Sequence, residues 1–271
     1  MKGPIQKMVT RLDKPVSYQL PMGDGLVDLN PLIGTEIALA FSASIFCIEC
    51  GRKTSKSFNQ GYCYPCFKKL AACDQCIVKP ELCHFHLGTC REPEWGEANC
   101  FGPHVVYLAN SSGLKVGITR ASQVPTRWID QGATQALPIF EVADRRTAGL
   151  LESTLRTSLS DRTDWRKMLK GEPDPLDLVA IREELASRST EILEKALPDS
   201  DRAKVAPAKT SSVCQIQYPV TRYPEKIKAH NFDKDRTVAG RLSGIKGQYL
   251  ILGDIVFNVR KFAGYDMQLE C

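Results

Sequence analysis

Residues 104–120 read HVVYLANSSGLKVGITR. Residues 105–108 and 115–118 are β-prone runs, and Asn110-Ser111-Ser112-Gly113 between them has the composition of a turn. Two short strands joined by a turn are expected. Outward toward the C-terminus, a helix is expected to open near Pro125, with Ser122 or Gln123 before it. Proline's fixed φ suits a first helical turn, and its missing N–H is not needed there. Residues 139–142 read as a third strand. Asp144 is placed to cap a helix carrying Leu150, Leu151, Leu155 and Leu159 at helical spacing. A further helix is expected over 176–196. Residues 105–197 thus read as a small α/β domain.

Toward the N-terminus the chain changes character. Of its 11 cysteines, nine lie between Cys47 and Cys100. Cys47-x2-Cys50, 12 residues and Cys63-x2-Cys66 form two facing knuckles, whose four thiolates can close a tetrahedron around zinc. Gly51 follows the first knuckle and Gly61 precedes the second, which relieves crowding where amides turn toward sulfur. Cys73-x2-Cys76 is a third knuckle, and Cys83 and Cys90 can complete a second four-cysteine site. Cys100, His84, His86 and His104 compete for places in that second set, although His84 and His86 also read as a surface pair. Four-thiolate zinc has no open position for water, so both sites are expected to be structural. Residues 47–104 have little apolar periodicity and would need such a staple to fold. Cys214 and Cys271 read as ordinary thiols.

Basic side chains, Arg52, Lys53, Lys56, Lys68 and Lys69, alternate in this segment with Phe58, Tyr62, Tyr64 and Phe67. That mixture suits phosphate contact and base stacking. The plain alternative is a solvated face whose rings fill a tiny core.

Both chain ends are β-rich. Residues 1–46 carry apolar runs between Gly and Pro punctuation, and 213–271 contain two runs flanking Gly253-Asp254, a type II′ hairpin composition. Residues 198–212, PDSDRAKVAPAKTSS, read as a linker. Neither end is long enough for a good core of its own. The two are expected to pair into one small barrel-like domain with the middle inserted, giving an α+β fold overall.

The chain has 271 residues, enough for about two domains by the usual domain length. With 43% apolar and 25% charged residues it is not a disordered, collagen-like or simple coiled-coil sequence. It has no uncharged apolar run of membrane-spanning length, and Lys2 and Lys7 are followed by no apolar signal core. An odd cysteine count without a leader argues for metal rather than disulfides, so a cytoplasmic location is expected. The net charge is +5, but eight thiolates and two dications would contribute −4 and leave +1. Any attraction for an anion is then local.

The stretch quoted first, with Arg127-Trp128 and AGLLESTL after it, resembles the GIY-YIG nuclease family over residues 104–168, about a quarter of the chain. Val105-Val106-Tyr107 sits at the family's first tripeptide and Lys115-Val116-Gly117 at the second. The resemblance implies a small α/β fold with the tripeptides on neighbouring antiparallel strands. It implies a proton-handling role for Tyr107, phosphate neutralisation by Arg127, and a divalent Mg2+ or Mn2+ on Glu152. Lys115 stands where the family has its second tyrosine, and the first glycine is absent. Lysine does not reproduce a phenol's hydrogen bonding, though it can meet phosphate as a point charge. The full arrangement, including Pro80-Glu81-Leu82-Cys83-His84 and Gly88-Thr89-Cys90, resembles an uncharacterised bacterial family known as DUF2797. Together these imply a zinc-stabilised nucleic-acid-binding protein with a metal-dependent phosphodiesterase as one form of its activity. The alternatives are a non-catalytic module associated with RNA, the ribosome or transcription, or a protein-interaction scaffold. DNA and RNA are equally open as partners.

Overall fold

A computed structural model describes residues 1–157, 159, 164–210 and 212–271. Ser211 of the expected linker, and Ser158 and residues 160–163 within the 104–168 resemblance, lie outside the described residues. The N-terminal segment forms β1 (Lys2–Pro4), β2 (Val9–Arg11), β3 (Ser17–Met22), β4 (Gly25–Asp28) and the long β5 (Glu36–Phe46). β2, β3 and β4 make a small antiparallel sheet. In β3, alternate residues Tyr18, Leu20 and Met22 point into the core, the period-2 pattern of a half-buried strand.

The cysteine segment holds β6 (Lys53–Thr54), α1 (Tyr64–Lys69) and α2 (Pro93–Cys100), joined by short 3-10 turns. Next come β7 (His104–Asn110), β8 (Leu114–Arg120), α3 (Thr126–Asp130), β9 (Gln135–Val142) and α4 (Arg145–Leu155). β7 lies between β8 and β9, antiparallel to both. All seven of its residues are buried because both faces are covered. Val105, Tyr107 and Ala109 face the core shared with the chain ends, while Val106 and Leu108 face the helices. β9 starts earlier than the expected residue 139. Pro138 obscures the strand pattern, and it pairs with Tyr107 beside a bulge between Val106 and Tyr107, where a missing N–H is tolerated.

α4 is capped as expected: Asp144 accepts from the Thr147 amide at 2.8 Å and from its hydroxyl at 2.9 Å. α5 (Trp165–Leu169) follows. The single helix expected over 176–196 is instead two, α6 (Leu178–Ser187) and α7 (Ser189–Ala196). Arg188 leaves helical geometry between them, and the Ser187 hydroxyl donates to the Glu184 carbonyl at 2.7 Å, competing with the helix backbone. In the stretch read as linker, α8 (Asp199–Arg202) leads into β10 (Val205–Pro207), which pairs with β9. β11 (Cys214–Gln215) pairs with the other end of β9. Polar composition there marks an edge strand rather than a free tether.

The C-terminal segment supplies β12 (Lys228–Ala229), β13 (Thr237–Lys246), β14 (Tyr249–Leu252), β15 (Ile255–Asn258) and β16 (Tyr265–Glu270). Gly253, at φ +59°, turns the β14–β15 hairpin. The two chain ends share one sheet in the order β1-β16-β5-β13-β14-β15-β12, with β6 added beside β5. The expected barrel does not close among the described residues. The edge strands β1 and β12 have three and two residues, too short to meet each other across a barrel seam.

Connections in both chain ends clamp α3. Asp130, at the end of α3, is met by the Lys7 ammonium and by Gln248 Nε2 at 2.8 Å. Gln248 Oε1 in turn accepts from the Met8 amide at 2.9 Å. The Tyr218 hydroxyl donates to the Ala133 carbonyl at 2.8 Å.

Candidate metal centre and the Tyr107 site

The first knuckle begins where β5 ends. The Cys47 amide donates to Arg52 O at 2.9 Å and the Gly51 amide to Cys47 O at 2.9 Å, folding Cys47 and Cys50 to the same side. Gly51 takes φ +69°, a left-handed turn that glycine enters at no steric cost. The second knuckle leads into α1, with Cys63 at its N-cap and Cys66 inside its first turn. The sulfurs of Cys47, Cys50, Cys63 and Cys66 all lie within 4.8 Å of one another, and Cys50 and Cys63 are 3.7 Å apart. A tetrahedral zinc with Zn–S bonds of about 2.3 Å sets its sulfurs roughly 3.8 Å apart, so the four residues fit the ion.

The thiols are also electrostatically uneven. Burial pushes Cys47 up, but backbone donors at Cys50, Cys63 and Glu49 outweigh it and bring the thiol down to about 6. Burial and hydrogen bonds with Cys63, Cys50 and Cys47 push Cys66 up. Cys47 thus sheds its proton more readily than Cys66, which suits capture of a cation.

The rings of this segment pack on one another. Phe58 lies 5.4 Å from Tyr64 and 5.7 Å from Phe67, with the Lys56 ammonium 5.4 Å from its centroid. That is the small-core arrangement, and Tyr64 keeps an exposed face.

The sulfurs of the expected second set, Cys73, Cys76, Cys83 and Cys90, do not all lie within 4.8 Å of one another, with or without Cys100. Asp74 is extended and turns the chain between Cys73 and Cys76. Cys73 is buried toward the first centre: burial raises its thiol, a hydrogen bond with Asn59 lowers it, and Arg91, Cys47 and Glu49 are its charged neighbours. Cys76, Cys83 and Cys90 instead line one cavity together with Cys100. Burial, then the charges of Asp74, Cys83, Cys100 and Cys90, push Cys76 up to about 11. Asp74, Cys76 and His84 also have ligand atoms within 4.8 Å of one another. His86 is exposed. His104 is buried at the start of β7, with Nδ1 2.8 Å from Gly102 O.

Tyr107, Lys115, Arg127 and Glu152 come from β7, β8, α3 and α4, and the structure gathers them. Tyr107 and Ala109 face Gly117 and Lys115 across the β7–β8 ladder, which places Lys115 on the Tyr107 face. Gly117 is required here: a Cβ at that position would come 2.8 Å from the Tyr107 hydroxyl and Cζ. Gln131, just past α3, joins the set. Its Nε2 donates to the Tyr107 hydroxyl, its Oε1 accepts from Lys115 Nζ, and its Nε2 also reaches the Arg127 carbonyl at 3.1 Å. Burial raises Tyr107, while Arg127 and the Gln131 hydrogen bond lower it and Glu152 raises it again. The ring meets Trp128 edge-on at 5.8 Å between centroids. Tyr107 is 1% exposed and Lys115 5%, whereas Arg127 is exposed and Glu152 half-buried. Gln131 was legible only as the residue four past Arg127, on the same helical face.

A family model described as protein of unknown function (DUF2797) matches residues 34–267. The chain belongs to the DUF2797 family. The DUF2797 match spans both cysteine clusters and the Tyr107 site, and it carries no activity with it. No curated protein and no solved structure matches the chain. Among the described residues no helix is long and apolar enough to cross a membrane.

Proposed function

We propose that this DUF2797 chain is a zinc-stabilised nucleic-acid-binding protein whose GIY-YIG-like site holds a backbone phosphate. The observation that supports the reading is the convergence of Tyr107, Lys115, Arg127 and Glu152, from four separate elements, around Gln131. Arg127 is the exposed member, and a guanidinium grips phosphate through two parallel hydrogen bonds. Lys115, buried and tied to Gln131, is the second cation of the site. The four-cysteine cluster holds the zinc that folds the segment ahead of β7, a reading supported by its sulfurs lying within 4.8 Å of one another.

Cleavage is the second reading, favoured by the nearness of the Glu152 carboxylate to Tyr107. Glu152 would hold the divalent cation, which supplies charge to the leaving oxygen. Tyr107 would then hold or pass a proton at its Oη. The burial of that hydroxyl and its hydrogen bond with Gln131 favour holding over hydrolysis.

The test is a panel of labelled single- and double-stranded DNA and RNA, with Mg2+, Mn2+ or EDTA. Binding should weaken with salt, and Arg127→Ala should weaken it on every sequence and reduce the salt slope by about 1. No binding at low salt to any member would overturn the reading. Mg2+-dependent cleavage abolished by Glu152→Ala would establish the phosphodiesterase form.

A further inference from the structure

The cavity between the 3-10 turns and α2 is lined by four cysteines from four local pieces of chain, whose sulfurs a bound ion would draw together from beyond 4.8 Å. Cys76 lies in the turn Gln75–Ile77, Cys83 ends the turn Pro80–Leu82, Cys90 precedes α2, and Cys100 is its last residue. α2 is shaped for this. Gly96 faces Cys90, and a Cβ there would come 3.3 Å from its sulfur. The nearby oxygen and nitrogen donors are already engaged. Asp74 accepts from Arg91 Nε at 2.7 Å and faces His84 Nε2 at 3.5 Å, while His84 Nδ1 lies 2.8 Å from the Thr89 hydroxyl. Thiolates are also the donors zinc prefers in closed structural sites.

We propose that Cys76, Cys83, Cys90 and Cys100 hold a second structural zinc ion, with Cys73 outside the set and Arg145 as counter-charge. Four thiolates around one dication leave a net charge of −2, which a partly buried site must balance. Arg145, the first residue of α4, reaches into the loop. Its Nη2 donates to Ile77 O at 2.6 Å, and Cys100 and Cys76 are among its charged neighbours. Its buried Nε has no hydrogen-bond partner. The site also sits where the segment is fastened to the following domain. The Arg120 guanidinium of β8 donates to Asn99 Oδ1 at 2.6 Å, and Pro80 lies on Gly149 of α4. The proposal rests on the zinc reading of the cysteine segment and is independent of nucleic-acid binding.

The experiment is metal analysis of the purified full chain, repeated on single variants. The unaltered chain should carry two zinc ions. Cys83→Ser and Cys100→Ser should each lower the count to one, Cys50→Ser should also lower it to one, and Cys73→Ser should leave two. Loss of an ion in Cys73→Ser with retention in Cys100→Ser would overturn the ligand set. A count of one in the unaltered chain, abolished by Cys50→Ser, would overturn the second site and leave the first standing. Alkylation footprinting of the unaltered chain guards against variants that do not fold. Cys100 should be protected until a chelator removes zinc, and modification of Cys100 as fast as exposed Cys271 in the zinc-loaded chain would also overturn the proposal.

Discussion

Gly117 and Tyr107 show how tightly the candidate phosphate site is built. The tyrosine ring occupies the space that any larger side chain at 117 would need, and its hydroxyl is held by Gln131. Gly117→Ala should therefore push the ring off Gln131 and cost about 1–3 kcal/mol, the usual range for overpacking a filled core. Thermal or urea unfolding measures the loss; an unchanged midpoint would mean that the ring shifts freely. Gln131 belongs to the same unit, since it hydrogen-bonds both Tyr107 of β7 and Lys115 of β8.

α4 makes two separate contacts. Ala148, Leu151 and Leu155 seal it against the sheet, and Gly149 receives the turn that begins at Pro80. A side chain at 149 would come 2.5 Å from Pro80 Cβ and 2.9 Å from the Glu81 amide, and a backbone contact cannot yield as a flexible side chain can. Gly149→Val should detach the Pro80–Leu82 turn from α4 and destabilise the chain by about 1–3 kcal/mol. It should also raise hydrogen exchange in residues 76–90, and exchange confined to α4 itself would argue against this docking. β7 is the other double-faced element, with Tyr107 turned to one core and Val106 and Leu108 to the other.

The large core joins both chain ends to the Tyr107 side of β7, and it buries Tyr18, Tyr107 and Tyr218 together. Burial is the leading cause that raises all three phenols above their ordinary 10.0. The unfolded chain loses these protons near pH 10 while the folded chain keeps them. Their contribution to stability is therefore complete below about pH 10 and falls as pH rises beyond it toward the folded values. Unfolding midpoints should drop steeply above pH 10, and Tyr107→Phe should make that drop shallower. An equal alkaline slope in Tyr107→Phe and the unaltered chain would show that Tyr107 ionises in place. Charge across the whole chain argues little about partners, because two four-thiolate zinc centres would consume most of the formal +5.

The amino-acid sequence by itself determined what short range decides. Cys47-x2-Cys50 and Cys63-x2-Cys66 place pairs of sulfurs on one side of a single turn, so that cluster was readable from spacing. The strands around 105–108 and 115–118 and the Asp144 cap follow from alternation and from one side chain meeting nearby amides. The ends were readable as β because their apolar runs need a partner sheet. Tertiary structure decided the rest. Which of Cys73, Cys76, Cys83, Cys90 and Cys100 meet depends on how the 3-10 turns dock on α4 and α2, and no sequence interval encodes that path. Whether the terminal sheet closes depends on edge-strand length and register, and edges of three and two residues leave it open. Gln131 acquires its place because α3 is clamped from both chain ends through Asp130, a contact across 118 positions to Gln248 that local pattern does not carry.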